Sequence, residues 1–181
     1  MKEDLEFYER QQINQWWLYV LLGLVNAFFI YGCITQVGMG KLWGNNPMPD
    51  VMLVIVTVIM FLGTASIFFT RVDTVINREG VWLRVFPSFR LSFKLTPWDN
   101  ISGYVVRKKN LIRDKRGIGY KIVSKRVGNK IQMVRQTTYN LSGNYVLELK
   151  LINKKELIIG TQRPEELAEF LSKLDAERKQ K

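Results

Sequence analysis

The sequence predicts an α+β protein: a two-helix transmembrane hairpin, then an antiparallel β-domain of about seven strands, capped by a C-terminal amphipathic helix. Three observations predict this. Two runs without Asp, Glu, Lys or Arg, Trp16–Gln36 and Val51–Thr70, fall within the first seventy of 181 residues. Apolar residues then recur at period two in short bursts from Val72 to Ile159, the spacing of half-buried strands. Near the end the spacing changes to that of a helix, with Leu167, Phe170, Leu171 and Leu174 on one stripe.

Each apolar run is about twenty residues, and at ~1.5 Å rise per residue such a helix spans the roughly 30 Å of bilayer hydrocarbon. A core helix of a soluble domain is sometimes apolar all round, but two in succession at this length favour the membrane. Met1–Gln15 carries Glu3, Asp4, Glu6 and Glu9 against Lys2 and Arg10. A cleaved signal peptide has a basic start and a shorter apolar core, so the first run is expected to be a retained helix. The connection Val37–Asp50 holds only Lys41, whereas Arg71, Arg78 and Arg84 follow the second run. By the positive-inside rule both termini are cytoplasmic and the connection is external. Trp16, Trp17, Tyr19 and Trp43 suit the interface positions of such helices. Pro47 and Pro49 mark a tight turn, and Asp50 is expected to cap the second helix.

Gly23 and Ala27 on the first helix, and Gly63, Ala65 and Ser66 on the second, either let the backbones approach or are ordinary membrane-helix residues. Asn26 is expected to bond to the other helix or to a partner. Cys33, the single cysteine, excludes an intramolecular disulfide and reads as a small apolar helix residue. The resulting division is residues 1–70, holding the N-terminal segment and the hairpin, and residues 71–181, a cytoplasmic domain.

After Thr70 the strands follow in order. Val72, Thr74 and Ile76 alternate, Asn77-Arg78-Glu79-Gly80 turns, and Val81–Val85 returns. Phe89, Leu91, Phe93 and Leu95 alternate with Arg90, Ser92, Lys94 and Thr96, which predicts a strand with the apolar set in the core. Pro97-Trp98-Asp99-Asn100 breaks it, and Ile101–Val106 begins the next. Tyr145, Leu147, Leu149 and Leu151 form another strand, with Asn153-Lys154-Lys155 turning into Leu157–Ile159. The closing helix starts behind Pro164 with Glu165 and Glu166 in its first turn, where acids favour a helix N-terminus.

Charge is distributed unevenly. Residues 71–181 carry 24 of the 27 Lys and Arg and 11 of the 16 Asp and Glu, net +13. Within them Tyr104–Arg135 holds eleven cations against one acid, Asp114. This basic excursion contains Gly117, Gly119 and Gly128, and Tyr120–Val123 and Lys130–Val134 are candidate strands of an extended hairpin.

Three strings, Pro97-Trp-Asp-Asn-Ile101, Tyr139-Asn-Leu-Ser-Gly-Asn144 and Ile159-Gly-Thr-Gln-Arg-Pro-Glu-Glu-Leu167, together with the strand order and closing helix, resemble the bacterial pleckstrin-homology-like domains that follow one or two membrane helices. The resemblance covers most of residues 71–175. It implies a partly open antiparallel β-barrel or sandwich of two nearly orthogonal sheets, plugged at one end by the helix, on a protein of the bacterial inner membrane. Relatives often carry a Gly- and Trp-containing segment where this chain has Arg113–Gly119, and only the glycines and the basic character match.

Composition argues against catalysis. The chain has no His, the commonest general base and metal ligand. No carboxylates pair at acid–base spacing and no phosphate-loop pattern occurs. No cofactor or metal is expected. The leading expectation is a non-catalytic binding module whose basic domain engages anionic lipid headgroups through Arg107, Lys108, Lys109, Arg113, Lys115, Arg116, Lys121, Lys125, Arg126 and Lys130. The bland alternative is a solvated charged surface. A different class of function is a structural or adaptor subunit of a larger membrane complex, using the same patch on an acidic protein. Nucleic acid is disfavoured, because Tyr104, Tyr120 and Tyr139 are sparse for a stacking platform.

Overall fold

A computed structural model of the chain describes residues 6–87, 93–110, 117–127 and 130–179; at 125–127, 130–132 and 179 it describes the backbone alone. The chain divides into two compact units, one of residues 13–70 and one that joins the residues before 13 to those after 70.

The first unit is a pair of helices. α1 (Trp16–Cys33) continues through a π-helical turn at Ile34–Gly38, and α2 spans Asp50–Phe69. Both are long and apolar enough to cross a membrane, and only 11% and 6% of their apolar windows are buried in the protein. Core helices of a soluble domain would be mostly covered, so the exposed apolar surface needs another cover.

Polar groups hold the two helices together. Asn26 Nδ2 donates to Thr64 Oγ1 at 2.7 Å, Cys33 Sγ lies 3.1 Å from Thr57 Oγ1, and Gln36 Nε2 donates to Asp50 Oδ1 at 2.7 Å. Asp50 is therefore the first residue of α2 and a partner of Gln36, rather than the side-chain cap expected of it. The small residues Gly23 and Gly63 face open space, whereas Gly32 packs against the Trp43 ring. Close packing thus uses Gly32, where a longer side chain would strike the indole.

The second unit contains two sheets and a helix. The four-stranded sheet has the order β1-β2-β3-β4, with β1 Phe7–Gln12, β2 Arg71–Ile76, β3 Gly80–Phe86 and β4 Lys94–Pro97. The five-stranded sheet comprises β5 Ile101–Lys108, β6 Gly117–Val127, β7 Lys130–Asn140, β8 Tyr145–Leu151 and β9 Lys155–Thr161, in the order β5-β8-β9-β7-β6. No ladder joins the two sheets among the described residues. α3 (Pro164–Lys179) follows, and its predicted stripe Leu167, Phe170, Leu171 and Leu174 is buried in full.

Four expectations change. Nine strands are described rather than about seven, because the basic excursion forms the regular hairpin β6–β7 and because Phe7–Gln12 is a strand. Phe7–Gln12 pairs antiparallel with β2, Gln12 opposite Arg71 and Phe7 opposite Ile76, so it belongs with the sheets and not with the 1–70 segment. The sheets are not wholly antiparallel, since β7 runs parallel to β9 from Arg135–Lys155 to Tyr139–Ile159.

The strand expected over Phe89–Thr96 is also altered. Phe89 and Leu91 lie outside the described residues, and the face assignment reverses. Lys94 pairs with Leu83 and Thr96 with Val81, both core residues, while Leu95 pairs with the half-buried Trp82. Opposed residues share a face, so the deeper burial of β3 decides the register against the alternation of β4. Phe93 is only half-buried and lies under the Arg84 guanidinium, 4.5 Å from its ring centroid.

Trp98 is buried as a plug at the turn into β5. Its indole N–H donates to the Asn77 carbonyl at 2.8 Å, Tyr104 meets its edge, and Arg178 of α3 covers its face at 5.2 Å. The strands β1, β7 and β9 meet in a polar seam. Gln11 is fully buried and bridges the Gly160 carbonyl (2.6 Å) and the Leu141 N–H (3.2 Å). Glu9 accepts from the Thr161 hydroxyl and the Gln162 N–H, both at 2.6 Å. Gly160 allows this approach, because a Cβ there would lie 2.6 Å from Asn140 Oδ1.

Candidate functional site

Where they are described, the cations singled out in the sequence fall on different strands of the five-stranded sheet. Arg107 Nε donates to the buried Glu148 carboxylate at 2.7 Å, so its charge is committed within the sheet. Lys108 is exposed at the end of β5, and the Lys109 N–H donates to the Asn144 carbonyl at 2.8 Å. Arg113, Lys115 and Arg116 lie outside the described residues. Lys121, Lys125, Arg126 and Lys130 are on the hairpin β6–β7. β5 and β6 stand at opposite edges of the strand order, which separates Arg107–Lys109 from the hairpin cations.

The hairpin itself has a distinct geometry. Its internal ladder runs from Gly117–Asn140 to Val127–Lys130, but β7 pairs with β9 only over Arg135–Tyr139. Among the described residues, Val123–Val127 and Lys130–Val134 thus form an arm whose strands have only each other as ladder partners. At ~3.4 Å per residue it is roughly 17 Å long. On one face, by register, lie Tyr120, Ile122, Ser124, Met133 and Arg135. Tyr120 is 78% exposed, Ile122 60% and Met133 79%. Apolar side chains therefore stand in solvent on a strand pair that also carries Lys125, Arg126 and Lys130.

A cleft of about 650 Å³ opens between the two sheets, walled by Leu83, Lys94 and Thr96 on one side and by Tyr120, Ile122, Arg135, Tyr139, Lys155 and Leu157 on the other. Burial raises the Tyr139 hydroxyl above its ordinary range.

Sequence reading missed a further basic cluster on the face of the four-stranded sheet away from the core. The Asp73 carboxylate is wholly buried and receives Arg10 Nε (2.8 Å), Arg84 Nη2 (2.8 Å) and the Tyr8 hydroxyl (3.2 Å), with Arg71 3.7 Å away. Burial pushes the Asp73 carboxyl up, and the hydrogen bonds from Arg84 and Arg10 outweigh it, holding the group below the usual carboxylate range. The partners come from three strands, with Arg10 separated from Asp73 by 63 positions. The one local clue was the alternation Tyr8, Arg10, Gln12 in the N-terminal segment.

Tyr104 donates to Asp175 of α3 and is pushed up to about 12 by its burial and by that carboxylate. It is thus turned into the domain, and of the three tyrosines scattered through the basic region only Tyr120 is fully presented. Among the described residues no group of three His, Cys, Asp or Glu converges as a metal site. Compared with protein-family models, curated proteins and solved structures, the chain matches none, and its geometry alone carries the functional argument.

Proposed function

We propose that the chain is a non-catalytic, membrane-anchored binding module: α1 and α2 cross the bacterial inner membrane with both termini cytoplasmic, and a pleckstrin-homology-like domain engages anionic lipid headgroups. The observation that carries this reading is the hairpin arm, which combines Lys125, Arg126 and Lys130 with the exposed Met133. Cations gain about 1 kcal/mol each near an anionic leaflet, and exposed apolar side chains gain by entering its interfacial region. Two sheets and a closing helix support the family resemblance.

The test places an environment-sensitive fluorophore at Met133→Cys in a Cys33→Ser background, with the full chain in nanodiscs. Emission is expected to shift to the blue in anionic discs and not in neutral ones. Raising salt shortens the Debye length from about 30 Å at 0.01 M to about 8 Å at 0.15 M and should weaken the shift. Reversing Lys108, Lys121, Lys125, Arg126 and Lys130 to Glu should remove it. Equal emission in both discs would displace the lipid reading in favour of the adaptor reading. One observation favours that second reading: β6 is the last strand in its sheet order, with Ile118, Tyr120 and Ile122 exposed along it, a template for strand addition by a partner.

A further inference from the structure

The geometry points to a second site, distinct from the arm: the cleft between the two sheets binds a single-chain anionic amphiphile, its hydrocarbon between the sheets and its carboxylate or phosphate head among Lys94, Arg135 and Lys155. Charge placement is the first support. Arg135 and Lys155 are register partners in the parallel ladder between β7 and β9, so their side chains leave the same face side by side. Like charges so opposed are unfavourable. Lys94 reaches the same cleft from β4, on the other sheet. None of the three makes an ion pair among the described residues. One acid, Glu156, is among the residues that line the cleft, and its carboxylate accepts from Gln136 Nε2 at 3.1 Å. An anion in the cleft would relieve three cations at once.

The second support is the wall chemistry. Leu83 and Leu157 are buried at the base, and Tyr120 and Ile122 stand 78% and 60% exposed at the side. A small inorganic anion would leave these apolar surfaces in water, whereas a hydrocarbon chain would cover them at ~25 cal/mol per Å² buried. The volume of about 650 Å³ lies within the usual ~300–1,000 Å³ of small-molecule sites. Lys94, opposite Leu83 and against the alternation of its own strand, brings a third cation to this opening from the other sheet.

The experiment uses the full chain in zwitterionic nanodiscs, with empty discs as the partition control. The probe is 11-(dansylamino)undecanoic acid, and its methyl ester is the uncharged comparison. Saturable one-to-one emission enhancement is expected for the acid, with the ester at least tenfold weaker. Lysophosphatidic acid should displace the probe, and glycerol 3-phosphate, which carries the head without the chain, should not. Lys94→Gln with Lys155→Gln should weaken the acid at least tenfold. Lys108→Gln, outside the cleft, should leave it unchanged. Thr137→Trp, which fills the cleft, should abolish saturation; a circular-dichroism melt confirms that each variant is folded. Equal binding of acid and ester, full displacement by glycerol 3-phosphate, or unchanged affinity in the folded Lys94/Lys155 variant would overturn the site. A chain that does not incorporate into discs would instead refute the membrane reading, and the same titration on that chain in solution would then decide the cleft separately.

Discussion

Replacing Gln11 by Ala tests whether the segment before the helices is a working part of the sheet domain. Gln11 is fully buried, donates to the Gly160 carbonyl at 2.6 Å and accepts from the Leu141 N–H at 3.2 Å. Truncation leaves a buried N–H without its acceptor, at about 1–3 kcal/mol, and removes a hydrogen bond worth about 0.5–1.5 kcal/mol. The combined loss is about 2–4 kcal/mol, a large share of the ~5–15 kcal/mol that stabilises a typical domain. Hydrogen exchange of the full chain reads this locally. Amides of β1, of 139–142 and of 158–162 should exchange roughly 30- to 1,000-fold faster, at a factor of ten per ~1.4 kcal/mol. Gln12→Ala, one position on and exposed, should leave them unchanged. If both substitutions are silent, β1 does not dock in the seam and the assignment of Phe7–Gln12 to the sheet is wrong.

Other substitutions give contrasting outcomes. Trp98→Ala should cost about 3–5 kcal/mol through the cavity it leaves, and Trp98→Phe about 1 kcal/mol through loss of the bond to the Asn77 carbonyl; calorimetry that ranks them the other way contradicts the plug. Asp73→Asn should lower stability by about 1–3 kcal/mol at pH 7, discounted because the surrounding arginines are part-exposed. The folded carboxyl lies below its unfolded value of roughly 4, so its contribution is complete above that pH and is lost as pH falls through the folded value. The gap between Asp73→Asn and the parent should therefore shrink on acidification, and a gap that widens would refute the cluster. Gly160→Ala should destabilise by about 1–3 kcal/mol through overpacking against Asn140 and Gln11, and a neutral melting curve would refute the close seam. Cysteines at Asn45 and Lys154 should label oppositely with an impermeant reagent in intact cells; labelling of Lys154→Cys alone would invert the topology.

Elements whose own residues determine them were legible in the sequence. The apolar runs are uniform over about twenty positions, and the α3 stripe repeats at helical spacing, so no distant partner is needed to recognise either. The break at Pro97–Asn100 was similarly legible from its own residues. What escaped depends on partners far away in the chain. Phe7–Gln12 gave no strand signal because, beside Phe7, its inward side holds Glu9 and Gln11, whose partners lie 130 or more residues later. The face of β4 was misread because alternation gives the period without the sign, and Val81 and Leu83 of β3 set the sign. The candidate site divides in the same way. Charge density located the hairpin, but the commitment of Arg107 to Glu148, the Asp73 cluster and the meeting of Lys94 with Arg135 and Lys155 arise only from strand pairing.

The most direct measurement of lipid engagement by the arm is the depth of a nitroxide at Ser124→Cys, in a Cys33→Ser background of the full chain in liposomes. Ser124 opposes Met133 on the exposed face of the arm. Collision with oxygen, which concentrates in lipid, should rise relative to a water-soluble nickel chelate when neutral liposomes are replaced by anionic ones. The rise should disappear when Lys121, Lys125, Arg126 and Lys130 are reversed to Glu. An oxygen-to-nickel ratio that stays at its aqueous value in anionic liposomes, or that survives charge reversal, would contradict engagement of the membrane by the hairpin.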